Sequence, residues 1–341
     1  MFGRVEQEQD ELLRLSPLAT KALYSQGRRW PEEPCPMRTD FQRDRDRIIH
    51  SKAFRRLKHK TQVFIAPGGD HYRTRLTHTL EVSQIARTMA RLLRLNEDLT
   101  EAIALGHDLG HTPFGHAGEA ALNKLVSEGF RHNMQSLRVV DLLEDRGRPG
   151  WGLNLTYEVR NGIHCHTGTE IPSTLEGQLV RSADRIAYLN HDLDDALRAH
   201  ILTSEDLPKE LMQVLGFKHS TRISRMITEI VLFSEGKTAI GTSTEMREAT
   251  EAFRKFLFDR VYIGSSAKVE EKKVGTMIAE LFHFYMEHPP ELPPPVDAET
   301  PTEIRVCDYL AGMTDSYCLM DFQRRFMPKG WSELPEAKGE L

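Results

Sequence analysis

Apolar residues recur every three to four positions along much of this chain, a spacing typical of α-helices that bury one face. The pattern predicts helices over residues 76–93, 99–105, 113–125, 174–199, 208–235 and 304–326. Strands instead alternate apolar and polar residues, and no alternating run in this sequence is long enough to indicate a large sheet. We therefore predict an all-α fold.

The composition is that of a folded, mildly acidic chain. Of its 341 residues 39% are hydrophobic and 28% charged, with a formal net charge of −5, which excludes disordered and collagen-like classes. Its apolar stretches are far shorter than the roughly 20 residues that span a bilayer, and the N-terminal region does not resemble a signal peptide. We expect a cytoplasmic protein with no membrane partner. The four cysteines form no C-x-x-C pair, so neither a disulfide framework nor a cysteine zinc site is indicated.

Charge and proline content divide the chain into three parts. Residues 1–50 are highly charged and are predicted to form an arm and a first helix. Residues 51–200 are predicted to form the core, and residues 201–341 a C-terminal helical region packed on it. Six of the 17 prolines fall within 289–301, which predicts a semi-rigid connector there.

Histidine is concentrated in one part of the sequence, since 12 of the 15 lie between His50 and His200. Imidazole titrates near neutral pH and is the commonest metal ligand, so this concentration favours a metal site or an acid–base centre. The alternative is a set of ordinary capping, surface and core histidines.

Three predicted helices carry candidate metal ligands. His78 lies in an apolar helical stripe and should face inward, although a lone inward histidine is more often a satisfied core residue. His107 and Asp108 are adjacent at the end of the next helix, and Asp184 on a third could complete the set. Nitrogen and carboxylate ligands with positions left for water suit Mn²⁺, Fe²⁺, Co²⁺ or Mg²⁺ better than a structural zinc site.

A second group of residues suits proton transfer. His116 and Glu119 are three residues apart on one helical face, where a carboxylate can orient an imidazole and raise its basicity. His111 lies in the same segment, and His132 could supply another proton or phosphate contact. The alternative is a pair of surface helix residues.

Two further patterns are typical of a site that binds a phosphorylated, sugar-containing substrate. Basic residues cluster upstream of His78, Arg55 and Arg75 among them, and fixed cations beside a metal stabilise phosphate charge. Tyr188 and Asp192 share one helical arc, where they could stack on a sugar and accept its hydroxyl. The alternatives are a solvated basic face and an ordinary amphipathic helix.

Six segments of the sequence form recognisable motifs: SKAFRRLKHKTQVF (51–64), RTRLTHTLEVSQIAR (73–87), GHDLGHTPFGHAGE (106–119), RHNMQSLRVV (131–140), ADRIAYLNHDLDDA (183–196) and VCDYLAGMTDSY (306–317). Together they resemble the motifs of one family, the bacterial HD-domain deoxyguanosinetriphosphate triphosphohydrolase-like proteins. The resemblance implies an HD-domain helical bundle with a C-terminal helical extension.

The resemblance also implies a role for each candidate residue. It implies a divalent metal held by His78, His107, Asp108 and Asp184. It implies that the attacking water and the leaving group are handled by His116 and Glu119, supported by His111 and His132. It implies a phosphate contact from Arg75 and deoxynucleoside contacts from Gln62, Tyr188 and Asp192.

The implied reaction is attack of water at the α-phosphorus of a deoxynucleoside triphosphate (dNTP), dGTP or another, which releases deoxynucleoside and inorganic triphosphate. A homo-oligomer is also implied, with a dNTP or single-stranded DNA as a candidate effector. One alternative is an HD-type 5′-nucleotidase or phosphodiesterase that uses the same metal set. Another is a nucleic-acid-binding regulator, against which the net negative charge argues.

Overall fold

The computed structural model describes residues 2–63, 73–263 and 270–328. Within these ranges the chain forms fifteen α-helices and no β-strand, and its β-type pairing is limited to two isolated bridges. The predicted all-α fold is therefore confirmed. No helix in the described ranges is both long enough and apolar enough to cross a membrane.

The helices are numbered α1 to α15 in chain order. Their bounds are Arg4–Arg14, Asp40–Ile49, Lys52–Arg56, Arg75–Leu92, Glu97–Gly106, Gly115–Leu125, His132–Arg138, Tyr157–Cys165, Leu175–Arg198, Lys209–Leu215, His219–Ser234, Thr244–Leu257, Glu271–Glu287, Thr302–Ala311 and Asp315–Phe326. Single π-helical segments, Val139–Leu143 and Phe258–Ile263, directly follow α7 and α12.

Three predicted helix boundaries were wrong, each for a backbone reason. The helix predicted over 208–235 is two helices, because Gly216 between them has φ 109°, a conformation that other residues avoid. The helix predicted over 304–326 is also two, since the Thr314 side chain accepts the Tyr317 N–H and so begins α15. Helix α6 begins at Gly115 rather than at residue 113, because Phe114 and Gly115 have φ 60° and 58°.

The larger apolar core forms around α4, α5 and α9. Fully buried side chains include Met89 of α4, Ile103 of α5 and Leu189 of α9, and each such side chain contributes about 1.5–3 kcal/mol of burial free energy. Helix α8 approaches α5 closely through two glycines. A Cβ at Gly162 would lie 2.5 Å from an Ile103 methyl, and one at Gly106 would lie 2.5 Å from an Ile163 methyl. This close approach brings the ends of α5 and α8 together.

A second apolar cluster joins α6 to α13, α14 and α15. It contains Leu122 of α6, Ile278 of α13 and Leu310 of α14, all fully buried. The first cluster draws on all three predicted parts of the chain, for example Phe41 and Phe253. The predicted division at residues 50 and 200 stays a prediction.

Polar contacts tie the C-terminal helices to turns near α6. The Lys60 ammonium is buried and donates to the carbonyls of His111, at 2.5 Å, and Ala311, at 2.8 Å. The Asp315 carboxylate accepts the backbone N–H groups of Thr61 and Phe114, both at 2.9 Å. Burial, together with the charge of a neighbouring arginine, lowers the pKa of Lys60 to about 7. The C-terminal helices therefore support the turn that carries His111.

We expect Glu11 to make unfolding depend on pH. Its carboxylate accepts hydrogen bonds from Ala22 N, at 2.7 Å, and Asn96 Nδ2, at 3.1 Å, yet burial raises its pKa to about 7. The folded state then holds a proton that the unfolded state has already lost, so stability falls as pH rises from about 4.5 to about 7. This loss of stability is absent below about pH 4.5 and complete above about pH 7.

Glu11→Gln removes this titration. The free energy of unfolding of the variant minus that of the native protein should rise by about 1–2 kcal/mol between pH 5 and pH 8, a figure reduced for partial solvent screening. Chemical denaturation at the two pH values measures it. Glu248→Gln, at an exposed position of α12, serves as the control and should show no such rise. If the difference in unfolding free energy between Glu11→Gln and the native protein were the same at both pH values, Glu11 would not be the source of the pH dependence.

Candidate active site

Three helices bring the four predicted metal ligands together. His78 comes from α4, His107 and Asp108 follow directly after α5, and Asp184 comes from α9. Asp184 Oδ1 lies 3.1 Å from His78 Nε2 and 3.8 Å from His107 Nε2. His107 Nε2 is also 3.6 Å from Asp108 Oδ1. The Asp184 side chain is 22% exposed and the other three are buried, so the cluster opens on the Asp184 side.

The hydrogen bonding of His107 fits a metal ligand. Its Nδ1 lies 2.7 Å from the Ala104 carbonyl, which can only accept, so Nδ1 carries the proton and a neutral ring keeps its lone pair on Nε2. This Nε2 is buried and has no hydrogen-bond partner among the described residues. A backbone carbonyl that fixes the tautomer in this way is typical of metal-binding histidines.

Both carboxylates of the cluster are held in the ionised form. Burial raises the pKa of Asp108, but the cationic groups around it, Arg75 among them, outweigh this effect and bring the pKa well below its usual range. Desolvation likewise opposes ionisation of Asp184, but the hydrogen bond with His78 outweighs it and lowers the pKa to about 2. The cluster thus combines two carboxylates with two imidazoles, a donor set that suits a divalent cation.

Arg75 adds a buried cation at the edge of the cluster. Its NH1 donates to Asp108 Oδ2 at 2.6 Å, whereas its Nε and NH2 are buried without a hydrogen-bond partner among the described residues. A Cβ added at Gly115 would lie 3.2 Å from Arg75 NH2, so the glycine leaves room for the guanidinium. The Nε and NH2 groups are therefore available to an anion.

The four predicted catalytic residues also lie together. His132 Nδ1 is 2.9 Å from Glu119 Oε1, and His111 Nε2 is 3.7 Å from Glu119 Oε2. The rings of His111 and His132 stack with centroids 4.6 Å apart, and His116 meets His111 edge-on at 5.4 Å. His132 Nε2 lies 3.9 Å from Asp108 Oδ1, which connects this row of residues to the metal cluster.

Glu119 makes its hydrogen bonds with His132. The sequence suggested that it orients His116, but its Oε1 accepts both the backbone N–H and the Nδ1–H of His132, each at 2.9 Å. Burial lowers the pKa of His132, and the Glu119 hydrogen bond outweighs this effect, so the pKa is raised. Helix α6 places the Glu119 carboxylate one turn from His116, and the same carboxylate also reaches His132.

His116 is the solvent-accessible member of the row. Its side chain is exposed, yet desolvation by the surrounding protein, together with the Arg75 charge, lowers its pKa to about 4. The ring is then neutral at pH 7 and can accept a proton. An accessible neutral imidazole beside buried charged groups suits exchange of protons with a bound substrate.

The predicted substrate residues occupy different environments. Gln62 is buried, and its Oε1 has no hydrogen-bond partner among the described residues. Tyr188 and Asp192 follow Asp184 along α9, half-buried and buried respectively, and burial raises the pKa of Tyr188 to about 12, so its hydroxyl stays protonated. Arg55 differs from these, because its side chain is exposed and its guanidinium donates to the His50 carbonyl at 2.9 Å.

His166 belongs to the site and was missed by the sequence analysis. Its buried ring lies between His107 and His132, with centroid distances of 5.0 Å and 5.2 Å. His166 Nδ1 donates to the Ile163 carbonyl at 2.7 Å, and its Nε2 is 3.1 Å from His132 Nε2. With its proton on Nδ1, His166 accepts at Nε2 and so orients His132. The concentration of histidines was the only signal in the sequence that included it.

We expect His166→Ala to lower kcat by about 10–100-fold, the usual cost of losing a residue that orients a ligand or catalytic group. KM and metal content should change little, because His166 positions His132 rather than the substrate. His166→Gln should restore part of kcat, since its amide oxygen can accept in place of Nε2. Steady-state kinetics and metal analysis of both variants check this. A rise in KM with unchanged kcat would contradict the positioning role.

Comparison with known proteins agrees with this architecture. Residues 75–189 match the HD domain, and residues 240–324 match the phosphohydrolase-associated domain. The fold, the His/Asp cluster and these two matches define an HD-domain hydrolase. The HD match begins at the first residue of α4 and covers all four predicted metal ligands.

Curated relatives define the family more closely. Proteins named "Deoxyguanosinetriphosphate triphosphohydrolase-like protein" are 56% identical in Caldanaerobacter subterraneus subsp. tengcongensis, 50% in Desulfatibacillum aliphaticivorans and 47% in Clostridium perfringens (strain SM101 / Type A). The alignments cover 96%, 96% and 94% of this chain and 96%, 99% and 97% of the relatives. The chain belongs to the deoxyguanosinetriphosphate triphosphohydrolase-like family.

A solved structure of a hypothetical protein from Aquifex aeolicus has a TM-score of 0.48 at 18% identity, covering 83% of this chain and 68% of that one.

Proposed function

We propose that this chain hydrolyses dNTPs, dGTP among them, to deoxynucleoside and inorganic triphosphate. One observation supports this most directly: the buried Arg75 guanidinium adjoins both Asp108 of the metal cluster and Gly115 at the start of α6. Its Nε and NH2 groups, which have no hydrogen-bond partner among the described residues, therefore lie beside the proposed metal ligands and the start of the helix that carries His116. A triphosphate bound there would contact both a metal and a proton-transfer group, and the family name of the relatives agrees with such a substrate.

A divalent cation, Mn²⁺, Mg²⁺, Fe²⁺ or Co²⁺, would be held by His78, His107, Asp108 and Asp184. When bound, it supplies Lewis-acid polarisation of an α-phosphate oxygen and neutralises developing charge. The shared position of Asp184 between the two imidazoles, and the unused Nε2 of His107, support this ligand set.

The protein's own residues would position the phosphate and move the proton. Water forms a bond to the α-phosphorus as the bond from that phosphorus to the 5′ oxygen breaks. The neutral His116 imidazole takes a proton from the water and returns it to the leaving 5′ oxygen. Glu119 and His166 hold His132 by hydrogen bonds, and His111 stacks on its ring. These contacts would fix the orientation of His132 beside the substrate. Arg75 Nε and NH2 donate to the phosphate oxygens.

The deoxynucleoside would occupy the space beside α9. Tyr188 would stack on the sugar, Asp192 would accept its hydroxyl, and Gln62 would contact the nucleoside with its unused Oε1. Crowding at the 2′ position would reject ribonucleotides. Arg55 lies on an exposed surface, so its contact would be with the distal phosphates. The predicted dNTP or single-stranded DNA effector, the homo-oligomer and the cytoplasmic location stay predictions.

Product analysis tests the proposal. The metal-reconstituted protein is incubated with each of the four dNTPs, singly and mixed, and the products are separated by chromatography. Deoxynucleoside with intact triphosphate is the expected result, and turnover only in the mixture would show activation by a dNTP. Monophosphate or orthophosphate products would favour a 5′-nucleotidase or phosphodiesterase, and no turnover with several metals would favour the nucleic-acid-binding alternative.

A further inference from the structure

A second group of metal-type side chains lies at the end of α8, separate from the catalytic cluster. It consists of His164, Cys165 and Glu170, whose donor atoms all lie within 4.8 Å of one another. His164 Nε2 is 3.2 Å from Glu170 Oε2, and Cys165 Sγ is 3.7 Å from the same oxygen. Imidazole, thiol and carboxylate thus converge on one point.

The loop that returns Glu170 to the helix is held in place by Arg181 of α9. The Arg181 guanidinium donates to the carbonyl oxygens of Gly168 and Glu170, both at 2.5 Å, and of Cys165, at 3.3 Å. These three bonds join the helix end to the loop on either side of Gly168, which has φ 82°. The convergence of the three donors therefore rests on backbone anchored to a neighbouring helix.

We propose that His164, Cys165 and Glu170 bind one Zn²⁺ ion, with the fourth position taken by water. Nitrogen, sulfur and oxygen donors together favour zinc over the hard cations that suit the catalytic cluster. His164 Nδ1 has no hydrogen-bond partner among the described residues, so no donor there fixes Nδ1 as an acceptor, and Nε2 can offer its lone pair to the ion.

The missing C-x-x-C pair does not exclude this site, because histidine and glutamate complete the donor set around a single thiolate. Zinc binding would release the Cys165 thiol proton to solvent as the zinc–sulfur bond forms.

The proposed site adjoins the catalytic row through the chain itself. Cys165 is the last residue of α8, and the next residue is His166, which accepts from His132. A bound ion would fix the helix end together with the loop that follows. When the catalytic site is already loaded with Mn²⁺, zinc should therefore raise the melting temperature of the native protein and leave that of Cys165→Ser unchanged.

Cobalt spectroscopy distinguishes the proposed site from the catalytic one. The predicted catalytic ligands are nitrogen and oxygen atoms, so a thiolate-to-Co²⁺ charge-transfer band can come only from a cysteine. The full-length protein, with its catalytic site loaded with Mn²⁺, is titrated with Co²⁺. We expect a charge-transfer band that saturates at one equivalent per chain and is removed by Zn²⁺.

Three variants identify the residues responsible for the charge-transfer band. Cys165→Ser should abolish it, whereas Cys35→Ser should keep it, since Cys35 is the most accessible of the described thiols. Because Cys165 is buried and its replacement can disturb folding, Glu170→Ala provides an independent test at an exposed side chain and should weaken Co²⁺ binding at least tenfold. Absence of the band in the native protein, its persistence in Cys165→Ser, or unchanged affinity in Glu170→Ala would each overturn the proposal.

Discussion

Asp184→Ala should abolish metal binding and turnover together. The Asp184 carboxylate lies 3.1 Å from His78 Nε2 and 3.8 Å from His107 Nε2. Its removal therefore deprives the cluster of the carboxylate that lies next to both imidazoles. A bound metal supplies several kcal/mol of transition-state stabilisation, which corresponds to a loss of kcat/KM of about 10³-fold or more. Metal analysis of the purified variant and steady-state kinetics measure the two effects.

Asp194→Ala is the matched control for this variant. Asp194 lies on the same helix, where it pairs with Arg73 at 3.0 Å and Arg198 at 3.5 Å. Loss of these partly exposed ion pairs should cost about 1 kcal/mol of stability or less and leave the metal content unchanged. Turnover by Asp184→Ala at the native rate would remove the basis of the proposed metal site.

His116→Ala should separate chemistry from metal binding. His116 is exposed and meets His111 edge-on at 5.4 Å, so its loss should leave the metal cluster intact. Removal of a general acid–base group lowers turnover by about 10²–10⁴-fold. We therefore expect native metal content and native KM together with a fall in kcat of that size.

The pH profile and a second histidine variant provide the controls. If His116 accepts the water proton, the limb of the native pH–kcat profile that reports its ionisation should disappear from the residual activity of His116→Ala. His59→Ala, at another exposed histidine, should retain native turnover. Equal loss of metal and turnover in His116→Ala would place this residue among the ligands, contrary to the proposed proton transfer.

Local patterns predicted several helices, α4, α5 and α9 among them, and located the ligand candidates. The apolar stripe that contains His78 predicts an inward position, and α4 indeed buries it with Val82, Ile85 and Met89. The breaks within 208–235 and 304–326 were not predictable from periodicity, because the apolar spacing continues across Gly216 and up to Thr314. There the backbone conformation of one residue, or a capping side chain, overrides the pattern.

Contacts between distant segments were the part that the sequence could not supply. His166 follows a nine-residue helix and reaches His107 only because Gly106 and Gly162 let α5 and α8 approach closely. The partner of Glu119 was similarly hidden, since His132 lies thirteen residues away beyond the end of α6. Helical spacing identifies neighbours on one helix, whereas these contacts depend on how helices pack.

Hydrolysis of a dNTP in ¹⁸O-labelled water tests the central claim most directly. Attack of water at the α-phosphorus with departure of the 5′ oxygen places the new oxygen on phosphorus. Mass spectrometry should therefore find one ¹⁸O atom in the released triphosphate and none in the deoxynucleoside. Label in the deoxynucleoside, or labelled monophosphate or orthophosphate in place of triphosphate, would contradict the account.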